Sequence, residues 1–397
     1  MNYQEYKKRR QELVKRVGKP VLLGSAYERD IFPFHQDNNF YYYTGIEEPG
    51  CFCLIDENGE SKLFVPVYPA SRATWVERVS LLGNSSKDNY GFEAIEPLGE
   101  AFSCLISCLQ ENYFSTNCML GIVSSEGMHE LSKVLPVLVE SITDISLEIA
   151  RMRRIKSRSE IEKIYDAVQL AMVAHDAAAQ AIAEGKFECE VQAAAEFILT
   201  GKGARPAFPT IVGGGANSTI LHYHSNKSLL QSGSCVVVDL GARYHHYCSD
   251  LTRTYPVTGE FSEKQRDLYS YVRDAQAYVA EHAKPGYWLK NDEHPEKSLH
   301  HLAVDFFKKR GLGEYFVHNV GHFLGLDVHD VGNVKEPLQP GDVITIEPGL
   351  YLPEEEIGIR LEDNYWIIED GAVCLSEQLP SQANEIEKMV QDSLYEA

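Results

Sequence analysis

Cys235-Val236-Val237-Val238-Asp239-Leu240-Gly241 has the composition of a buried β-strand interrupted by one acid. Eleven residues after Asp239 comes Asp250, within Tyr247-Cys248-Ser249-Asp250-Leu251-Thr252-Arg253-Thr254-Tyr255, a second stretch rich in Thr and Tyr. Read as a hairpin with 239 opposite 250, the pair turns around Tyr244 and His245. Residues directly opposite in an antiparallel ladder share a face, with side chains about 5 Å apart. Two bare carboxylates so placed repel, and each tends to take up a proton. A divalent cation between them removes the repulsion.

The design repeats a hundred residues on. Val343-Ile344-Thr345-Ile346-Glu347 leads into a Pro-Glu-Glu-Glu loop, and Ile357-Gly358-Ile359-Arg360-Leu361-Glu362 leads out of it. Glu347 and Glu362 pair across a hairpin that turns near Glu354 and Glu355. Both separations, eleven and fifteen, are odd, as direct pairing around an even-length loop requires. Two such hairpins suggest a pseudo-symmetric antiparallel sheet. His322, in Gly321-His322-Phe323-Leu324-Gly325, adds one nitrogen donor. A lone strand acid is commonly a turn residue or an edge charge. Buried acids in number are costly unless paired or metal-bound. Asp239, Asp250, His322, Glu347 and Glu362 together suffice for two hard cations, which points to a two-metal hydrolase.

Composition bounds the remainder. The chain has 397 residues, enough for two domains, and 44% of them are hydrophobic, as in ordinary globular proteins. No run of 18 apolar residues occurs, so no membrane span is expected. The N-terminal residues are polar and lack an apolar signal region. Nine scattered cysteines without a CxxC pair read as reduced thiols of a cytoplasmic protein. A net charge of −21 argues against nucleic acid as a partner, which requires a basic footprint.

The division into domains follows from the pattern. Residues 1–150 read as a small α/β domain. Its elements are an amphipathic helix over 3–16, strands at Val21–Leu23, Cys51–Ile55 and Leu63–Val67, and helices near 70–79 and 126–140. The basic run Arg151-Met152-Arg153-Arg154-Ile155-Lys156 reads as a solvated charged linker. Residues 151–397 form the second domain. A capping box at Ser159-Glu160-Ile161-Glu162 opens a long helix stopped by Gly185. Further helices are expected over about 189–200, 262–283 and 297–310. His245 and His246 fall at a hairpin turn, and His175 falls on a helix as packing. Gly213-Gly214-Gly215 is not followed by Gly-Lys-Ser/Thr, so it is no phosphate loop.

The second domain resembles the pita-bread metallopeptidase family that includes aminopeptidase P, prolidase and methionine aminopeptidase. The motifs are Thr210–Asn217 with Ile220-Leu221-His222-Tyr223, Val238–Ala242, Ser249–Thr254, Gly321–Gly332, Thr345–Tyr351 and Gly358–Asp363. Gln36-Asp37-Asn38-Asn39-Phe40-Tyr41-Tyr42-Tyr43-Thr44-Gly45, with Glu48-Pro49 after it, is similar to the N-terminal signature of aminopeptidase P. The resemblance implies an α/β (α+β) chain: a creatinase-like N-terminal domain followed by a catalytic domain built on a curved antiparallel sheet. Two departures stand out. His35 replaces the usual Arg, which bears on contacts of the N-terminal domain. Asn319 replaces a common Gly beside His318, which loosens the assignment of His318 as a substrate contact.

The implied activity is that of an Xaa-Pro aminopeptidase, a dinuclear exopeptidase that releases the first residue from peptides with proline second. By resemblance, Asp250 and Glu362 bridge the metals, Asp239 belongs to one, and His322 and Glu347 belong to the other. A hydroxide shared by the metals attacks the Xaa-Pro carbonyl, and Glu347 shuttles the proton to the leaving nitrogen. His222 and His329 contact the peptide or the developing oxyanion, and His318 contacts substrate. Arg360 pairs with an acid and orients the carboxylates, while Tyr351 bonds a bridging acid or packs in the core. Four carboxylates and one imidazole suit Mn²⁺, with Co²⁺ and Zn²⁺ possible occupants. The family also implies a homodimer or homotetramer. Alternatives are a prolidase, which cleaves only Xaa-Pro dipeptides, and a non-catalytic binding protein on the same scaffold. Retention of all five ligand types weighs against the latter, and a creatinase-like amidinohydrolase would do without them.

Overall fold

The computed structural model describes residues 2–28, 33–67, 71, 74, 81–82, 86–100 and 144–394. The chain divides into two compact units, Met1–Arg153 and Arg154–Ala397.

In the first unit, helix α1 (Tyr3–Val17) starts at Asn2, whose side chain accepts from the Gln4 N–H, and stops at Gly18 with φ 71°. Strands β1 (Val21–Gly24), β2 (Phe52–Ile55), β3 (Ser61–Val65) and β4 (Ala94–Pro97) form one sheet in that order, antiparallel except for β3–β4. Between β1 and β2, helix α2 (Asn38–Thr44) is capped by the Asp37 side chain, which accepts from Phe40 N–H at 2.8 Å. Its aromatic residues favour strands, so only the cap and Gly45 mark it as helix. Arg10 is fully buried and donates to Ser61 Oγ and to the carbonyls of Tyr43 and Gly91, tying α1 to β3 and α2. The helices expected near 70–79 and 126–140 lie almost wholly outside the described residues.

The basic run is no solvated linker. Helix α3 is the short Ser86–Tyr90, and helix α4 (Ser146–Arg154) takes in the start of the run. Arg153, Arg154 and Lys156 are all buried. Arg154 grips both carboxylate oxygens of Asp342 at 2.8 and 2.7 Å, and also Glu336 and the Pro337 carbonyl. Its partners lie more than 180 residues away, so nothing in the local sequence announces them.

In the second unit, helix α5 (Arg158–Ala181) is capped by Ser157 with Glu160, two residues before the expected capping box. Either Ser-x-x-Glu fits the pattern, and the structure uses the earlier one. Helix α6 (Glu188–Gly201) follows. Strands β5 (Arg205–Pro206), β6 (Ile211–Gly214), β7 (Cys235–Leu240), β8 (Ala242–Tyr244), β9 (Tyr247–Cys248) and β10 (Leu251–Pro256) build two small sheets ordered β10-β7-β6 and β5-β8-β9. Helix α7 (Glu263–His282) starts at Ser262, and helix α8 (Leu299–Lys308), capped by Ser298, falls within the expected 297–310. Strands β11 (Val343–Ile346), β12 (Gly349–Leu352), β13 (Ile357–Arg360), β14 (Asp363–Ile367) and β15 (Ala372–Cys374) complete the antiparallel set. A final helix, α9 (Ala383–Leu394), buries Ile386 and Val390. Their i, i+4 spacing is legible in the sequence, and this helix is an addition to those expected from it. No helix among the described residues is long and apolar enough to cross a membrane.

The first hairpin is shifted from the expected register. His245 and His246 both take positive φ, 48° and 70°, between paired Tyr244 and Tyr247. That geometry is a two-residue turn matching the twist of the strands. It places Thr252, not Asp250, opposite Asp239. The second hairpin has the expected register. The pairs Ile346–Asp363 and Gly349–Arg360 belong to one continuous count that brings Glu347 opposite Glu362, with the turn at residues 353–356.

Candidate metal centre

Strand periodicity explains why the acids converge. Asp239 pairs with Thr252, and Thr252 bridges to Glu362. Glu362 N–H donates to Thr252 O at 3.1 Å, and the ladder then continues to Glu347. Asp239, Thr252, Glu362 and Glu347 therefore form one cross-strand row on a single face. Asp250, two residues before Thr252, shares that face by alternation. His322 joins from the far side: its N–H donates to Thr345 Oγ1 at 3.1 Å, and Thr345 N–H donates to its carbonyl at 2.9 Å. Thr345 is two residues from Glu347, so this neighbour also points inward. The register slip in the first hairpin is two residues, which preserves the face, so the acids still meet.

The side chains close on one another. His322 Nε2 lies 3.3 Å from Asp250 Oδ2, 3.6 Å from Glu347 Oε1 and 4.0 Å from Glu362 Oε1. His322 Nδ1 sits 3.0 Å from the Phe323 carbonyl, which only accepts. Nδ1 therefore carries the proton, and Nε2 turns a lone pair to the acids, the tautomer a metal ligand needs. Thr252 Oγ1 donates to Glu362 Oε2 at 2.8 Å, and Arg360 Nη2 to Asp239 Oδ2 at 2.7 Å.

Three buried carboxylate oxygens, Asp239 Oδ1, Asp250 Oδ1 and Glu362 Oε1, have no hydrogen-bond partner. Burial and mutual repulsion push Asp250 and Glu362 well above the usual carboxylate range, and burial raises Glu347 as well. Buried anions without partners are costly. Divalent cations satisfy these oxygens and relieve the repulsion, so the donor set fits a metal centre. Donor atoms of Asp250, His322 and Glu362 lie within 4.8 Å of one another.

A relay runs beside the acids. Arg360 Nη1 donates to the Tyr351 hydroxyl at 2.8 Å. That hydroxyl lies 3.0 Å from His318 Nε2, and His318 Nδ1 lies 2.7 Å from the Asn319 carbonyl. The ring must therefore donate through Nδ1 and accept through Nε2. Burial and Arg360 push its pKa down to about 3, so it is neutral. Tyr351 thus bonds Arg360 and His318 rather than a bridging acid. Gly349, paired with Arg360, leaves room for this: a Cβ there would stand 2.6 Å from the Tyr351 hydroxyl.

The centre lines a cavity of about 720 Å³. His222 and His329 open onto it, with His329 4.3 Å from His322 between ring centroids. His224, Arg243 and Asp327 line it too and are not singled out by the sequence, and Asn319, the departure beside His318, also lines it. His224 stands two residues after His222, and the two rings stack at 6.1 Å. Thr252 and Thr345 also went unread, since a Thr in a strand is ordinary.

Comparison with known proteins agrees with this architecture. Residues 162–369 match the sequence profile of metallopeptidase family M24, and residues 6–114 match that of the aminopeptidase P N-terminal domain. An Xaa-Pro dipeptidase from Pyrococcus horikoshii is 41% identical over 348 residues, covering 85% of this chain and 90% of the relative. An Xaa-Pro aminopeptidase from Haemophilus influenzae is 30% identical over 390 residues, covering 90% and 89%. The structure of Escherichia coli aminopeptidase P with the inhibitor Pro-Leu superposes with a TM-score of 0.88 at 27% identity, over 100% of this chain and 99% of that one. The chain belongs to metallopeptidase family M24 and carries the N-terminal domain of aminopeptidase P.

Proposed function

We propose that this M24 enzyme is an Xaa-Pro aminopeptidase, removing the first residue from peptides whose second residue is proline. The observation that carries the reading is the single sheet face on which Asp239, Asp250, Glu347 and Glu362 meet His322, with three buried carboxylate oxygens unpaired. Asp239, Asp250, His322, Glu347 and Glu362 would hold the metal ions, with Asp239 beside Arg360 and Glu347 beside His322. Bound there, the ions would supply Lewis acidity and lower the pKa of the attacking water. The donor chemistry favours Mn²⁺.

The protein's own groups do the remainder. Water oxygen adds to the carbonyl carbon before proline, and the C–N bond then breaks. Glu347, its carboxyl pKa raised by burial, accepts the water proton and delivers it to the proline nitrogen, which has no hydrogen in the substrate. His222 and His329, facing the cavity, donate to the peptide oxygen as negative charge grows on it. His318, with both ring nitrogens engaged, forms a fixed wall against which substrate packs. Arg360 holds Asp239 in place. A homodimer or homotetramer is the assembly we infer. Six described cysteines are free thiols, as suits a cytoplasmic enzyme.

A second reading, Xaa-Pro dipeptidase, is favoured by the 41% identity to the Pyrococcus relative. The N-terminal aminopeptidase P profile supports the first. Hydrolysis of an Xaa-Pro dipeptide and an Xaa-Pro-Xaa tripeptide, with Mn²⁺ and with chelator, separates them. Chelator-sensitive cleavage of the tripeptide supports the aminopeptidase. Cleavage of the dipeptide alone replaces it with the dipeptidase, and cleavage of neither removes both.

A further inference from the structure

Lys156 Nζ lies 2.9 Å from Asp330 Oδ2, and each side chain is 1% exposed. Asp330 directly follows His329. Its N–H donates at 2.9 Å to the carbonyl of Phe323, the residue after His322. The ion pair thus sits at the base of the turn that carries both histidines. The packing around it is close. A Cβ on Gly325 would stand 2.1 Å from Asp330 Oδ2 and 2.9 Å from Lys156 Cε. Glycine is needed at 325 for space, to let the pair pass beneath the turn. The other side of the clip is also pinned, because Lys156 N–H donates to the Gly341 carbonyl at 2.9 Å.

We propose that Lys156 is a positioning residue which, through Asp330, fixes His329 against His322 in the wall of the cavity. The inference rests on the reading of His329 as a substrate contact. Removing the ammonium takes a buried ion pair and hydrogen bond away from the Asp330 carboxylate, a larger loss than that of an exposed pair. The turn then opens toward water and carries His329 with it. Displacing a substrate-positioning group by about 1 Å can cost about 100-fold in rate.

A double-mutant cycle on the Mn²⁺-loaded full-length chain tests this, with Xaa-Pro-Xaa as substrate. Lys156→Met lowers kcat by about tenfold or more, and His329→Ala does likewise. The double variant falls within about twofold of His329→Ala, because the two changes remove one interaction. Losses that multiply instead, or a His329→Ala enzyme with undiminished rate, overturn the proposal. If Lys156→Met does not fold, Lys156→Met/Asp330→Asn takes its place in the cycle, since it removes both charges of the pair. A readout independent of turnover is the imidazole nitrogen NMR signal of His329 in the metal-free protein. It moves in Lys156→Met and returns toward its original position in Lys156→Arg. An unmoved signal contradicts the proposal even if no Xaa-Pro peptide is cleaved, an outcome that would separately remove the functional reading.

Discussion

Arg360 Nη2 donates to Asp239 Oδ2 at 2.7 Å, joining residues 121 apart in sequence at the centre of the buried face. The Asp239 carboxylate is thereby divided. One oxygen is held by the guanidinium, and the other, Oδ1, is buried and unpaired. Such a carboxylate is oriented before any cation arrives.

Arg360→Met should weaken Mn²⁺ binding by about 10–100-fold, the usual effect of deleting a partner that orients a ligand. Calorimetric titration of the metal-free variant checks this. Unchanged affinity would mean that Asp239 needs no orienting partner.

Tyr351→Phe removes the hydroxyl that accepts from Arg360 and faces His318 Nε2. Each lost hydrogen bond is worth about 1 kcal/mol net. The variant should keep its metal and lose about three- to tenfold in kcat/KM. Loss of metal instead would place Tyr351 in support of the carboxylates.

Arg154→Met strands the fully buried Asp342 carboxylate, which Arg154 otherwise grips with two nitrogens. The expected cost is about 3–5 kcal/mol in urea unfolding. A change below about 1 kcal/mol would restore the solvated reading of the basic run.

The basic run shows where sequence stops being informative. Four cations in six residues look solvated, because the acids that hold Arg154 and Lys156, Asp342 and Asp330, lie far down the chain. The acids were legible for the opposite reason. A lone acid at the end of a buried apolar run, as at Asp239 and Glu347, is a local signal. The turn at His245-His246 was legible in place but not in register, because neither residue advertises positive φ as glycine would. It moved Asp250 from directly opposite Asp239 to a diagonal position, and a two-residue shift preserves the face. The Thr252–Glu362 bridge joins distant hairpins and has no local signature at all.

His175 is fully buried, with Nε2 3.1 Å from the Leu251 carbonyl and Nδ1 3.1 Å from the Tyr255 hydroxyl. Burial, aided by Arg253, pushes its pKa down to about 3. The unfolded chain binds this proton near the ordinary value of about 6.5, whereas the folded chain does not. The contribution is therefore present above 6.5 and lost as pH falls toward 3. His175→Gln should show a shallower loss of Tm between pH 6.5 and 4 than the parent protein, as read by calorimetry. Parallel curves would mean that this proton is not taken up on unfolding.

The most direct test of the metal-centre account is titration of metal-free protein with Mn²⁺, following bound ions and Xaa-Pro-Xaa cleavage together. The account predicts two ions per chain, cleavage that rises with occupancy, and its loss when chelator is added. Full cleavage by metal-free protein, or two bound ions with no hydrolysis of any Xaa-Pro peptide, would contradict it.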